Sequence, residues 1–157
     1  MRVFLLNLLL AISWSALTGN ATLTNLCFGF FIGYLALRVS PSLPGGSKYF
    51  HRLPRFAHLS VFFLQELVLS SLRAAYEVFS PKLKSRPMVV RIPLEITDRN
   101  QIFILTNLIS LTPGTMVLEI TRDHSELLVH TMFVDDPEAF REEIHQGFEK
   151  RVREAFS

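Results

Sequence analysis

The chain has 157 residues, 49% of them hydrophobic, with a mean hydropathy of +0.30 and a formal charge of +2. Its one cysteine, Cys27, excludes a disulfide framework or a thiolate metal centre within one chain. The first 55 residues hold five Lys/Arg and no Asp or Glu. They lack the aromatic–basic interleaving of a single-strand binder, so this charge suits anionic lipid headgroups and not nucleic acid.

Two charge-free apolar runs come first, residues 3–17 (VFLLNLLLAISWSAL) and 23–37 (LTNLCFGFFIGYLAL), joined by the small polar turn 18–22. With their flanks each approaches the lower limit of about 17 residues for a membrane span. Residues 1–39 are therefore expected to form a two-helix transmembrane hairpin. Gly29 and Gly33, with Asn25 one turn earlier, make a small-residue face that lets another helix come close. Asn7, within the first run, is expected to bond to a neighbouring helix. Cys27 reads as a small packing residue. Arg2 precedes the hairpin, and Arg38, Lys48, Arg52 and Arg55 follow it, which places both flanks in the cytoplasm. The Pro-, Gly- and Ser-rich composition of 40–47 predicts a loop, part of a basic connection over 40–55.

Residues 56–80 predict one amphipathic, membrane-associated helix. His58, Gln65, Glu66, Arg73 and Glu77 fall within roughly 120° of one another at 100° per residue. Such a helix either lies along the membrane surface or crosses the bilayer with its stripe against partner helices. Crossing would carry Lys82, Lys84, Arg86 and Arg91 outside, against the charge rule, so the inner face is the expected location.

Residues 86–157 predict a small cytoplasmic α+β domain in the order β-α-β-β-α. Pro81 and Pro87 bracket a basic linker. A strand over 88–96 contains Pro93, which places it at a sheet edge or gives it a bulge. Asp98 opens a helix over 99–110 that is apolar almost all round. Leu111-Thr112-Pro113-Gly114-Thr115 ends it. Strands over 115–121 and 126–134 form a hairpin across the turn 122–125. Asp136-Pro137 starts a final helix whose Phe140, Ile144, Phe148 and Val152 recur every four residues.

No hydrolase, nucleotide-binding or zinc-protease motif occurs. The five histidines are scattered without ligand spacing, and His145 is expected on the exposed side of the last helix. No metal, cofactor or catalytic constellation is expected. Glu66 and Arg73 are the charges of most interest, read either as members of a polar seam, paired with each other or with a partner chain, or with Glu66 as a proton-carrying carboxylate. The two spans contain no ionisable path, so the chain alone is not expected to conduct ions.

The segment from Trp14 to Gly19 (W-x-x-L-x-G), the Gly29/Gly33 run and the block from Asp98-Arg99-Asn100 to Leu111-Thr112-Pro113-Gly114-Thr115 together resemble the E subunit of multi-subunit Mrp/Mnh-type cation/proton antiporters. The resemblance covers nearly the whole chain. It implies an accessory subunit of a bacterial plasma-membrane complex, with other integral-membrane subunits and the lipid bilayer as partners. The candidate subunit-interface residues are Asn7, Gly29, Gly33, Glu66, Arg73, Thr112, Pro113, Gly114 and Thr115. The turn 111–115 is either a structural joint or a docking point. The competing reading is a membrane-tethered module whose cytoplasmic domain recognises a ligand.

Overall fold

The computed structural model describes residues 2–39, 46–80 and 86–157, and the chain divides into two units, Met1–Pro54 and Arg55–Ser157. In the first unit, α1 (Arg2–Leu17) and α2 (Leu23–Val39) pair as a hairpin. Its turn is made by side chains that bond to one another. Trp14 Nε1 donates to Asn25 Oδ1 at 3.1 Å, while Asn25 Nδ2 donates to Thr18 Oγ1 at 2.7 Å and to the Asn20 carbonyl at 2.6 Å. Gly19 takes φ +63° directly after α1, a conformation that glycine adopts without steric cost.

Helix α3 runs Gly46–Phe79. The loop expected over 40–55 is thus corrected from residue 46 onward, and 40–45 lie outside the described residues. Aromatic packing overrides the local composition here. Tyr49 lies 6.4 Å from Phe4 and 6.2 Å from Tyr34, and Phe50 lies 5.2 Å from Tyr34. Pro54 is inside the helix; lacking an N–H, it leaves the Phe50 carbonyl without its usual partner. Of the linker expected at 82–86, residues 82–85 also lie outside the described residues.

In the second unit, β1 (Met88–Pro93), β2 (Thr115–Ile120) and β3 (Glu126–Thr131) form an antiparallel sheet in the order β1-β3-β2. Pro93 ends an edge strand, as its missing donor requires. The first and third strands are shorter than expected, and a bulge between Val117 and Glu119 breaks the β2–β3 register. Asp98 caps α4 (Arg99–Leu111), accepting from the N–H groups of Asn100 and Gln101. Asp136 accepts from Glu138 N–H at the start of α5 (Pro137–Glu143), with Pro137 in the first turn. The core joins the inner sheet residues Val90, Ile92, Leu127 and Val129 to Ile102, Leu105 and Ile109 of α4 and to the final helical stretch. Within this unit α3 contributes Leu59 to that core, with Phe62 on Phe148 at 5.2 Å and Phe56 on Phe156 at 5.4 Å.

Between α5 and α6 (Lys150–Phe156) the helix widens into a π-helical turn, Ile144–Glu149. A four-residue recurrence drifts about 40° per step on a regular helix of 3.6 residues per turn. The wider turn absorbs that drift, and Phe140, Ile144, Phe148 and Val152 are all buried. Arg151 braces the turn. Its guanidinium lies 3.9 Å over the Phe62 ring and donates to the carbonyls of Gln146 and Gly147.

The same widening turns Glu149 inward, where it is 1% exposed. Its Oε1 accepts from the backbone N–H groups of Glu95 (2.8 Å) and Ile96 (3.0 Å), and its Oε2 lies 2.5 Å from His145 Nδ1. The expectation that His145 is exposed is therefore corrected; its side chain is 17% exposed. An unbroken helix would have put Glu149 about 120° from the centre of the apolar face.

Glu149 clamps the segment between β1 and α4. Glu149→Ala strands two buried N–H groups and is expected to cost about 2–4 kcal/mol, with Glu149→Gln, which keeps one carbonyl acceptor, costing less. Thermal unfolding of the full chain in detergent, followed by far-UV circular dichroism, checks this; equal midpoints for the alanine variant and the parent would contradict it.

Candidate subunit and membrane interface

The hairpin is packed with its polar and small residues inward. On α1, Val3, Asn7, Ala11 and Ser15 recur every four residues and are buried, with Asn7 at 0% exposure. The bulky leucines and phenylalanines point out, among them Leu9 at 60%, Phe31 at 58% and Phe28 at 53%. Water favours the opposite arrangement, with the apolar stripe inward. Small and weakly polar seams with a Leu/Phe exterior suit helices whose surroundings are themselves apolar. Cys27, expected to pack, is exposed on this exterior.

The expected small-residue face on α2 is filled by α1 of the same chain. A Cβ on Gly29 would lie 2.9 Å from Trp14 Cβ, and one on Gly33 would lie 2.4 Å from Asn7 Oδ1 and 3.2 Å from Leu10 Cβ. Asn7 Nδ2 donates to the Tyr49 hydroxyl at 2.8 Å. Asn7 Oδ1 is buried without an N–H or O–H donor. It faces the Gly33 backbone, where a Cα–H is the available weak donor. Burial pushes the Tyr49 phenol above its usual range, so it stays neutral.

Among the described residues no helix is long and apolar enough to cross a membrane. Helices α1 and α2 have 16 and 17 residues, about 24–26 Å at 1.5 Å per residue, against roughly 30 Å of hydrocarbon. The expected two-helix hairpin is present; its helices stop short of the length expected of spans.

In the second unit, the remaining candidate residues meet at one small cavity of about 90 Å³. Glu66, Ser70 and Arg73 of α3 line it together with Thr112, Pro113, Gly114 and Thr115, and Glu143 and Phe133 are also on its wall. Of the pairings left open for Glu66, that with Arg73 is not made: no ion pair joins them among the described residues. Two helical turns separate them by about 10 Å along the axis, beyond the reach of i,i+3 and i,i+4 pairs. Glu66 is half-buried and Arg73 exposed. No group of His, Cys, Asp and Glu among the described residues has the arrangement of a metal site.

The turn after α4 is built from its own hydrogen bonds. Thr115 Oγ1 donates to the carbonyls of Ile109 (2.6 Å) and Thr112 (3.0 Å), and Thr112 Oγ1 donates to that of Leu108 (2.9 Å). These hydroxyls satisfy carbonyls that the helix end leaves without partners. Gly114 takes φ +92°, and a Cβ there would lie 2.4 Å from Phe133 Cε2. The block is a joint that fixes α4 against β2 and β3. Glu149 and Tyr49 escaped the sequence analysis, which also misplaced His145; the four-residue recurrence in the last helix was the available signal for Glu149 and His145.

Two substitutions probe these contacts. Gly114→Ala combines a positive φ with a clash and is expected to cost about 2–4 kcal/mol, read as a lower unfolding midpoint by circular dichroism; an unchanged midpoint would count against the joint. Gly33→Ala forces its new methyl onto Asn7 and is expected to lower the midpoint reported by the fluorescence of Trp14, the chain's one tryptophan. Adding Asn7→Ala should return part of that loss; strictly additive effects would mean that the two residues do not meet.

The MNHE family, described as a Na+/H+ ion antiporter subunit, matches residues 7–155. The Na+/H+ antiporter E1 subunit of Staphylococcus haemolyticus is 36% identical over 154 residues, covering 96% of this chain and 94% of that protein. The Na+/H+ antiporter E-type subunit of Bacillus subtilis is 33% identical over 150 residues, covering 96% and 95%. Among solved structures, a chain of the membrane-bound sulfane sulfur reductase, an archaeal respiratory membrane complex, aligns over 99% of both chains with a TM-score of 0.60 and 26% identity. With a match across nearly its full length and the hairpin and turn block in place, the chain belongs to the MNHE family of Na+/H+ antiporter subunits.

Proposed function

We infer that the chain is an accessory, non-conducting subunit of a bacterial multi-subunit cation/proton antiporter. In this reading α1 and α2 are embedded in the plasma membrane, both ends of the hairpin face the cytoplasm, and the partners are the other integral-membrane subunits. The observation that carries it is the inverted packing of the hairpin, with Asn7 enclosed and Leu9, Phe28 and Phe31 outside. The charge-free stretch 3–37, with Arg2 before it and Arg38 after it, supports the orientation. Helices a few Å shorter than the hydrocarbon are accommodated by local bilayer thinning, at fractions of a kcal/mol per Å.

A structural role follows from what the hairpin contains. An ion path through the bilayer needs acidic or basic groups at depth, and α1 and α2 hold no Asp, Glu, His, Lys or Arg between residues 3 and 37. Glu66 belongs to the second unit, where it lines a small cavity with Arg73, Glu143 and three threonines.

Deleting the chain is expected to abolish cation-dependent proton exchange in everted membrane vesicles, whereas Glu66→Gln should leave most of it. Full exchange without the chain would overturn the reading, and loss of exchange in Glu66→Gln with the complex still assembled would make Glu66 part of the ion path.

A further inference from the structure

The sequence leaves α3 two homes, on the membrane or through it, and the second unit contains the contacts that separate them. One side of the helix is committed to the folded lobe. Leu59, Phe62 and Phe63 pack on its core. Arg55 donates to the Glu154 carbonyl at 3.3 Å, and Arg151 stacks on Phe62. Glu66 and Ser70 face the cavity on the same side. A helix fastened to charged lobe residues along this length cannot cross hydrocarbon without dragging them in, at several kcal/mol for each ion.

The opposite side is bare. Val61, Leu64, Val68, Leu72 and Phe79 are all exposed and recur with helical spacing. With Leu69 and Tyr76 at its border, this arc covers about 140° of the helix at 100° per residue, over about 27 Å. Gln65 interrupts it and Ser71 borders it, and no ionised side chain lies within it.

We propose that this arc is seated in the interfacial layer of a phospholipid bilayer, with α3 parallel to the membrane plane. An arc of about 140° with no ionised side chain in it is the broad apolar face of a helix that lies in the interfacial layer. Charge is sorted to match. Glu66 lines the lobe-side cavity, and Arg73 stands exposed at the border of the arc. An open cleft of about 440 Å³ extends from the border, where Leu69, Leu72 and Tyr76 meet Arg73 and Arg86, with Glu77 and Asp135 also on its wall. Apolar side chains beside both signs of charge suit a zwitterionic phospholipid, its phosphate toward the arginines and its ammonium toward the carboxylates.

This placement rests on the proposed membrane-embedded hairpin, and the test reads the two separately. Single nitroxide labels are placed at residues 61, 68, 72 and 79 in a Cys27→Ser background, with controls at residue 9 on the hairpin and residue 125 in the β2–β3 turn. Each labelled chain is assembled in the whole complex and reconstituted in phosphatidylethanolamine-containing liposomes. The four arc labels should share one depth, with an oxygen-to-nickel accessibility ratio several-fold above that at residue 125. A steady depth gradient from 61 to 79 would make α3 a span, and shielding from both reagents would put another protein on the arc; either overturns the proposal. Water-like values on the arc with residue 9 in lipid would overturn this proposal alone, whereas residue 9 in water would remove the hairpin reading as well.

Discussion

The enclosure of Asn7 beneath Gly33 is the constraint on which the amino-terminal unit depends. An amide at 0% exposure cannot be left in an apolar seam without a donor or acceptor, and Tyr49 supplies one 2.8 Å away. Glycine at position 33 provides the room, since any Cβ would fall on the Asn7 oxygen. With Asn7, Ala11, Ser15, Gly29 and Gly33 inside, the exterior is dominated by leucines, isoleucines and phenylalanines, with Ser13, Thr24, Cys27 and Ala36 among them. The hairpin's inside therefore dictates its surroundings, because that exterior is stable only against lipid or other apolar chains.

The carboxyl-terminal unit solves a different problem with similar means. Its sheet has only three strands, and its core closes through a helix that carries one π-helical turn. That turn brings Glu149 into the interior, where it holds the Glu95 and Ile96 amides, while Arg151 satisfies two of the turn's carbonyls. The joint at 112–115 fixes the other end of α4 with threonine hydroxyls and a glycine of positive φ. These polar fixtures sit at element ends, where regular hydrogen bonding runs out.

Much of this was legible in the residues because local signals agreed with the final packing. Asp98 and Asp136 announce their helices, Pro93 marks an edge, and the apolar runs declare the hairpin. The misreadings arose where tertiary contacts outweighed local composition. The Pro/Gly-rich connection becomes helical from Gly46 because Tyr49 and Phe50 have rings to pack on. Gly29 and Gly33 read as an open face, since spacing does not tell which helix fills it. His145 read as exposed because 3.6-residue periodicity does not foresee an extra residue in a turn. The candidate residues 66 and 73 lie about forty positions before 112–115 in sequence, so the meeting of the two groups at one cavity is a property of topology alone.

The inverted packing of the hairpin is what supports the proposed lipid setting of the first unit. Trp14, packed on Gly29 beside the hairpin turn, is the natural reporter. The most direct measurement is quenching of its fluorescence in the reconstituted complex, comparing lipids brominated along their acyl chains with aqueous acrylamide. The account predicts strong quenching by the brominated lipids and little by acrylamide; efficient acrylamide quenching with no effect of bromine would contradict it.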